Sequence, residues 1–404
     1  MKKLRIGPGA LVAAAFIGPG TVTTCSLAGA RAGTTLLWAL TFSVIATLVL
    51  QEMSLRMGVV GGRGLAEALR DDFRSPVMGR AAGMLVLVAV TFGCAAYETG
   101  NLLGAGLGLE ALTGFHTRIL APIVGLTAAG LLLIGSYRLL EKVLIGTVLL
   151  MSLAFLGTLL MTGFDVLPAV RGALLPVAGR DADLYLVVAL IGTTVVPYNL
   201  FLHAAAVRER FAGAGDLGPA RLDAMVTIVL GGVISGAIVL TAAGSFYQPG
   251  GEGTTLTSAA DMARQLEPLL GKTATLFFSV GLLAAGVSSG ITAPMAAAYA
   301  TQGILGWEPG LTGSRQRGVA LAVVGTGILF GALGVQPVPA ITLAQAANGV
   351  LLPVVAVFLL WAANDRRRLG QHANGTMANL IGGLVVAVAA GLGIWALLRL
   401  LGVA

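Results

Sequence analysis

Two prolines interrupt long apolar runs of this chain, and they constrain its fold more than any other feature. Pro19 lies in AAFIGPGTVTT and Pro197 lies in IGTTVVPYNLFLH. Inside a helix, proline removes a backbone hydrogen-bond donor and its ring collides with the preceding turn. Within a bilayer, such a break is tolerated only where the freed backbone groups are buried in protein or line a cavity. A proline can also merely kink a helix, but one break in each half of the chain favours a binding site at mid-membrane depth.

The composition indicates a membrane protein. Hydrophobic residues make up 56% of the 404 residues and charged residues 11%, and the mean hydropathy is +0.91. Eleven apolar runs are long enough to cross about 30 Å of hydrocarbon. The first run continues past any signal-like segment, so we expect it to be retained as a span. The runs cover residues 9–29, 34–57, 80–109, 117–136, 142–163, 184–206, 223–246, 273–302, 318–334, 340–362 and 378–400.

The basic residues predict the orientation of these spans. Most of the 25 Lys and Arg residues lie in the segments that share one side of the membrane with the N-terminus. Loops on the cytoplasmic side carry the excess of Lys and Arg. We therefore expect a multi-pass protein of the inner membrane with a cytoplasmic N-terminus. The net charge of +7 reflects this topology, and no soluble face gathers the basic residues into a nucleic-acid footprint.

The spans divide into two sets of five. Because each set holds an odd number of spans, the second set (about 184–362) runs inverted relative to the first (about 9–163), and the run at 378–400 is an extra helix. Pro19 and Pro197 then occupy equivalent spans. We predict an all-α integral membrane protein with the LeuT-like 5+5 inverted repeat, with eleven transmembrane helices in one transporter domain over 1–404. The first and sixth helices should be unwound near residues 18–21 and 193–197.

Several motifs resemble the Nramp family of divalent-metal transporters along nearly the whole chain. They are the GPGT break in the first span, QEMSLRMGVVGGRGLAEALR at the end of the second, VVPYNLFLH in the sixth, LLAAGVSSGIT in the eighth, and LAQAANGVLLP with NDRRRLG in and after the tenth. This resemblance implies a secondary-active carrier of divalent cations, with or without proton symport. It also implies that one helix bundle rocks against a scaffold.

The resemblance places the substrate site at the two breaks. In the family, an aspartate, an asparagine, an alanine carbonyl and a methionine bind the metal, and the matching positions are Gly18, Thr21, Thr193 and Val196. A family histidine is matched by Tyr198, whereas Gln345, Asn199 and His203 are the family's own residue types. The residues that we expect to bind substrate are Gly18, Gly20, Thr21, Thr193, Thr194, Val196, Tyr198 and Gln345.

These replacements change the chemistry of the predicted site. A divalent cation usually needs an anionic carboxylate, and a thioether selects transition metals over Mg²⁺. Hydroxyl groups and backbone carbonyls suit a largely hydrated ion such as Mg²⁺, while helix N-termini favour an anionic group. We therefore expect Nramp-like transport of a hydrated divalent cation, with an amino acid or carboxylate as the alternative substrate. Tight binding of Mn²⁺ or Fe²⁺ is the least favoured of the three.

One carboxylate lies in the middle of a span. Glu98 stands in CAAYETGNLLGAG with Asn101 one helical turn further on. An ionisable residue at this depth indicates function because burying its charge is costly, although a protonated structural glutamic acid is the alternative. By resemblance, Glu98 is the family's proton-route glutamate, and His203 is either the next member of that route or a packed core histidine. We accordingly predict a proton pathway of Glu98, Asn101 and His203.

The remaining expectations concern partners. The lipid bilayer, a small ion or solute and protons are the predicted partners, and neither a nucleic acid nor a cofactor is expected. The three histidines are not spaced like metal ligands, and none is paired with a nucleophile. The sequence therefore does not predict an enzyme. The sequence does not predict an oligomeric state.

Overall fold

The structure, a computed structural model, describes residues 17–71, 76–134, 138–176, 181–208, 210–211, 213–249, 254–308, 313–400 and 402. The regular elements in these ranges are all helices, and no strand occurs among the residues described. In chain order the α-helices are α1 Pro19–Ala32, α2 Leu37–Val59, α3 Leu65–Asp71, α4 Pro76–Thr113, α5 Thr117–Ile134, α6 Arg138–Thr162, α7 Val166–Leu174, α8 Asp181–Thr194, α9 Pro197–Val207, α10 Leu217–Phe246, α11 Ala259–Ala263, α12 Glu267–Leu270, α13 Ala274–Leu305, α14 Ser314–Ala332, α15 Pro337–Ala362, α16 Arg366–Leu369 and α17 Thr376–Leu400.

Within the described ranges, nine helical segments are long and apolar enough to cross a membrane. Two of the eleven predicted runs are not among them. The first run lies partly outside the described residues, and α1 covers only its second half. The ninth run forms α14, whose first turn carries Arg315, Gln316 and Arg317 and is therefore polar. The described helix of the first run is therefore too short to count as a membrane span, and the helix of the ninth run is too polar in its first turn.

The long helices pack as two groups. One group contains α1, α2, α8, α9 and α10, and the other contains α4, α5, α13 and α14. The closest packing within the second group joins α4 to α13, while α15 packs against both α4 and α8 and so connects the groups. Large apolar side chains such as Leu160 and Met377 remain exposed on the outside, which suits contact with lipid. The two breaks lie between the groups.

Glycines allow α8 and α15 to approach closely. A Cβ on Gly192 would overlap the carbonyl oxygen of Gln345, and a Cβ on Gly349 would lie 2.5 Å from the carbonyl oxygen of Val188. Small residues at helix contacts let backbones meet in this way, which is typical of membrane proteins. This contact fixes the half-helix that leads into the second break.

We expect Gly192→Ala to destabilise the protein because the added methyl group meets backbone atoms that cannot rotate away. Overpacking typically costs about 1–3 kcal/mol, which exceeds the gain of about 0.5–1 kcal/mol from replacing a helical glycine by alanine. The matched control is Gly130→Ala on α5, where no atom lies within 4 Å of the added Cβ. Thermal unfolding of the purified variants should show a lower midpoint for Gly192→Ala only. Equal midpoints would contradict the close α8–α15 contact.

Candidate functional site

Helix α1 begins directly after Gly18, at the place where the sequence predicts the first break. This residue has extended backbone angles (φ −87°, ψ 174°), and α1 begins at Pro19 as its first residue. Proline is favoured at the first helical position because its missing N–H would have no partner there. The sequence predicted unwinding over residues 18–21, but Gly20 and Thr21 already lie in the first turn of α1. The residues before 17 are outside the described ranges.

The second break separates α8 from α9. Helix α8 ends at Thr194, and Val196 is extended (φ −79°, ψ 118°) before Pro197 starts α9. A residue that precedes proline is pushed out of the helical region by contact with the proline ring. The break that was predicted near 193–197 is therefore present, and its non-helical part is residues 195–196.

Gly18 and Pro19 contact the second helix group. A Cβ on Gly18 would lie 3.1 Å from the Oγ atom of Ser289 on α13 and 3.3 Å from the hydroxyl of Tyr97 on α4. Pro19 lies directly against Gly104, where any Cβ would overlap its ring. The space that the side chain of a residue at position 18 would enter is thus bordered by hydroxyl groups from α4 and α13.

Gly20 and Thr21 contact the other helices of the site. A Cβ on Gly20 would overlap the side-chain amide of Gln345 on α15. Gln345 is fully buried, and neither of its amide atoms has a hydrogen-bond partner among the described residues. The Oγ1 atoms of Thr21 and Thr193 lie 2.9 Å apart and share a hydrogen bond between the two breaks. The structure therefore brings Gly20, Thr21, Thr193 and Gln345 close together.

The other predicted residues at the second break contribute less to this cluster. Thr194 donates its hydroxyl to the carbonyl of Leu190 in its own helix (2.9 Å). Val196 is buried and presents only an apolar side chain. Tyr198 is buried and meets Tyr97 edge to face, with ring centroids 5.4 Å apart. Tyr198 therefore contacts Tyr97, and the hydroxyl of Tyr97 in turn lies close to Gly18.

Glu98 lies fully buried on α4, next to Tyr97 in the chain. The Nδ2 atom of Asn101 donates a long hydrogen bond of 3.4 Å to its Oε2 atom. Its Oε1 atom has no hydrogen-bond partner in the described ranges, and a Cβ on Gly290 would lie 3.2 Å from that atom. The carboxyl group therefore faces α13 in the contact between α4 and α13.

His203 belongs to a different contact. Its Nδ1 atom lies 2.6 Å from the Oε1 atom of Gln51 on α2, so a hydrogen bond joins α9 to α2. Its Nε2 atom is buried without a partner among the residues described. No hydrogen bond of the described residues joins His203 to Glu98, so the two members of the predicted proton pathway lie in separate clusters.

Polar networks tie the helices together at both ends of the site. At the predicted cytoplasmic end, buried Arg56 of α2 donates to Glu52 (3.0 Å), to the carbonyl of His372 (2.5 Å) and to Asn374 (2.6 Å). Arg221 of α10 also donates to Glu52, at 2.5 and 2.9 Å. This network joins the first helix group to the segment between α15 and α17.

At the opposite end, Gln265 in the segment between α11 and α12 is fully buried. It donates to the Oγ atom of Ser26 on α1 (2.8 Å) and accepts from Thr241 on α10 (3.2 Å). Sequence reasoning missed Gln265, because a single glutamine in a connecting segment carries no pattern.

The donor set at the breaks consists of hydroxyl, amide and carbonyl oxygens. No group of three or more His, Cys, Asp or Glu side chains in the described ranges is placed to hold a metal ion. Such a set can hydrogen-bond to coordinated water but offers a bare transition metal no thiolate, imidazole or thioether.

Comparison with known proteins decides the family. The model of the family described as "Natural resistance-associated macrophage protein-like" (Nramp) matches residues 9–399 of this chain. The chain belongs to the Nramp family. The resemblance predicted from the sequence motifs is therefore confirmed over almost the whole length.

Relatives and solved structures extend this result. The chain is 30% identical to the "Divalent metal cation transporter MntH" of Ralstonia nicotianae, over 98% of this chain and 90% of the relative. It is also 30% identical to the MntH of Acidiphilium cryptum, with the same coverage. The fold is similar to a manganese transporter of Eremococcus coleocola (TM-score 0.78, 21% identity, 96% of this chain and 85% of that one). It is also similar to MhsT in complex with L-phenylalanine (TM-score 0.60, 13% identity, 98% of both chains).

These findings confirm the predicted fold class and the general kind of protein. This Nramp protein has the LeuT-like transporter fold and is a multi-pass membrane transporter rather than an enzyme, since its relatives are named as transporters.

Proposed function

We propose that this Nramp protein transports a divalent metal cation across the inner membrane and binds it largely hydrated, as it would bind Mg²⁺. The observation that carries the proposal is the donor set at the two breaks. Gly18 and Val196 provide no polar side-chain atom, and Thr21 and Thr193 provide hydroxyl groups 2.9 Å apart. Removing the water from Mn²⁺ or Fe²⁺ at such a site would be poorly compensated, whereas Mg²⁺ usually keeps several of its waters.

The packing supports a carrier mechanism for the proposal. The group of α1, α2, α8, α9 and α10 would rock against the group of α4, α5, α13 and α14, with the breaks between them. Opening toward the predicted cytoplasmic side would require the hydrogen bonds of Arg56 to separate. Opening toward the other side would require Gln265 to leave Ser26. We also propose that Glu98, with Asn101, takes up and releases the coupling proton, and that His203 serves on the route between α9 and α2.

A ligand screen tests the proposed substrate class. A compound that binds only the folded protein raises its stability, by about 2.7 kcal/mol at one hundred times the Kd. We expect MgCl₂ to raise the unfolding midpoint of the purified protein above that in choline chloride of equal ionic strength. Proteoliposomes should also take up Mg²⁺. Stabilisation by an amino acid or a carboxylate with no effect of any divalent cation would instead favour the organic solute.

A further inference from the structure

Three polar side chains in the contact between α4 and α13 each have a buried oxygen atom without a hydrogen-bond partner among the described residues. They are Glu98, Asn101 and Ser289, each at most 1% exposed. The atoms concerned are Oε1 of Glu98, Oδ1 of Asn101 and Oγ of Ser289, and none has a partner among the described residues. Buried polar atoms without a partner are rare and costly, so three together call for a physical explanation.

Two of these atoms lie beside Gly18, and the third lies beside Gly290. A Cβ on Gly18 would lie 3.1 Å from the Ser289 Oγ atom and 3.9 Å from the Asn101 Oδ1 atom. A Cβ on Gly290, the neighbour of Ser289, would lie 3.2 Å from the Glu98 Oε1 atom. Because Gly18 and Gly290 have no side chains, the oxygens are not covered from these two positions. We call Glu98, Asn101 and Ser289 the acceptor wall.

The chemistry of the acceptor wall matches coordinated water better than a bare ion or an anion. A carboxylate oxygen and an amide oxygen only accept hydrogen bonds, and a serine oxygen can accept them. Water bound to a divalent cation turns its hydrogens outward and so presents donors. A carboxylate solute, which presents acceptors, would find among these oxygens only one donor, the Ser289 hydroxyl. One carboxyl group is also too little charge to replace the whole hydration shell of a divalent ion.

We infer that the acceptor wall binds the hydration shell of the transported divalent cation through outer-sphere hydrogen bonds. This inference rests on the proposed function and adds the side chains that recognise the hydrated ion. Tyr97 limits the width of the region, because its hydroxyl lies 3.3 Å from the Cβ position of Gly18. Selection would then depend on the size and geometry of the hydrated ion rather than on the softness of the metal.

The probe is the hexaamminecobalt(III) ion, whose six ammine ligands exchange very slowly and present N–H donors in an octahedron. It can bind only through its outer sphere. We expect it to stabilise the purified full-length protein and to compete with MgCl₂. Mg²⁺ binding without any competition from hexaamminecobalt(III) would overturn the acceptor wall while leaving divalent transport intact. If neither Mg²⁺ nor another divalent cation is bound or taken up, the proposed function itself fails.

Variants of two serines on α13 give the matched comparison. Ser289→Ala removes an acceptor of the wall, and we expect it to weaken binding of both Mg²⁺ and hexaamminecobalt(III) about five- to tenfold. Ser279→Ala is the control, since Ser279 is equally buried and unpartnered but lies ten residues away, about 15 Å along the helix. Asn101→Leu, which keeps the side-chain shape, should weaken both probes in the same way. Equal affinities in Ser289→Ala, Ser279→Ala and the unsubstituted protein would overturn the inference.

Discussion

Mn²⁺ should bind to the purified protein no more tightly than about millimolar, and Mg²⁺ should compete with it equally well. The physical reason is the absence of soft or anionic ligands at the breaks, where Gly18, Thr21 and Val196 stand. Isothermal titration calorimetry of Mn²⁺ with and without MgCl₂ measures this directly. Mn²⁺ binding in the micromolar range would show that the site dehydrates the ion after all.

The same reasoning gives a constructive variant. Gly18→Asp combined with Thr21→Asn and Val196→Met should improve Mn²⁺ affinity at least about tenfold, since it adds a carboxylate, an amide and a thioether. The new Cβ at position 18 is tight but tolerable, because it lies 3.1 Å from the Ser289 Oγ atom, which has to move only slightly.

The control for this variant places the methionine one residue away, as Val195→Met with the same two other changes. Val195 is as buried as Val196 and lies in the same break. If the thioether acts as a ligand, only the version at position 196 should show the full gain. Equal Mn²⁺ affinities in both triple variants would mean that the added carboxylate and amide account for the effect without the thioether.

Glu98→Gln should abolish the dependence of transport on a pH gradient, while the hydrated cation is still bound because the amide oxygen continues to accept a hydrogen bond. The amide keeps the shape of the side chain but cannot take up or release a proton at this position. The loss of pH-driven accumulation should be nearly complete, because the carboxyl group of Glu98 is fully buried in the contact between α4 and α13. Proteoliposome uptake measured with and without an imposed pH gradient provides the measurement.

Glu110→Gln is the matched control on the same helix. Glu110 accepts a hydrogen bond from the backbone N–H of Thr117 (2.9 Å), at the end of α4 and outside the site. Its variant should keep pH-driven transport. Uptake by Glu98→Gln that still followed the gradient would reduce Glu98 to a structural group, and unsubstituted protein without any pH dependence would remove proton coupling altogether.

The fold, the start of α1 and the second break were predictable from the sequence because each rests on a strong local signal. Proline inside an apolar run fixes where a helix cannot continue, and in the structure α1 begins at Pro19 and α9 begins at Pro197 after the interruption of the helix at residues 195–196. The extent of the first break was overestimated, since proline is well suited to begin a helix. Gly20 and Thr21 therefore join α1 instead of remaining unwound.

The neighbours of Gly18 could not be predicted in the same way. Helices α4 and α13 are apolar on nearly all sides, so hydrophobic periodicity does not reveal which face meets the break. Tyr97 and Ser289 reach Gly18 only through the rotation of both helices, which their mutual packing determines. The separation of His203 from Glu98 also depends on this packing, because His203 pairs with Gln51 on a distant part of the chain.

Gly18 also has an electrical consequence. With glycine in place of a carboxylate, the first break contributes no negative charge, and the second break contributes none either. A divalent cation then crosses the membrane field with its full charge. A membrane potential of 100 mV therefore changes the free energy of moving the loaded carrier across the membrane by about 4.6 kcal/mol. The return of the empty carrier moves no charge from these breaks. An inside-negative membrane voltage would therefore drive inward accumulation of the cation on the loaded step alone.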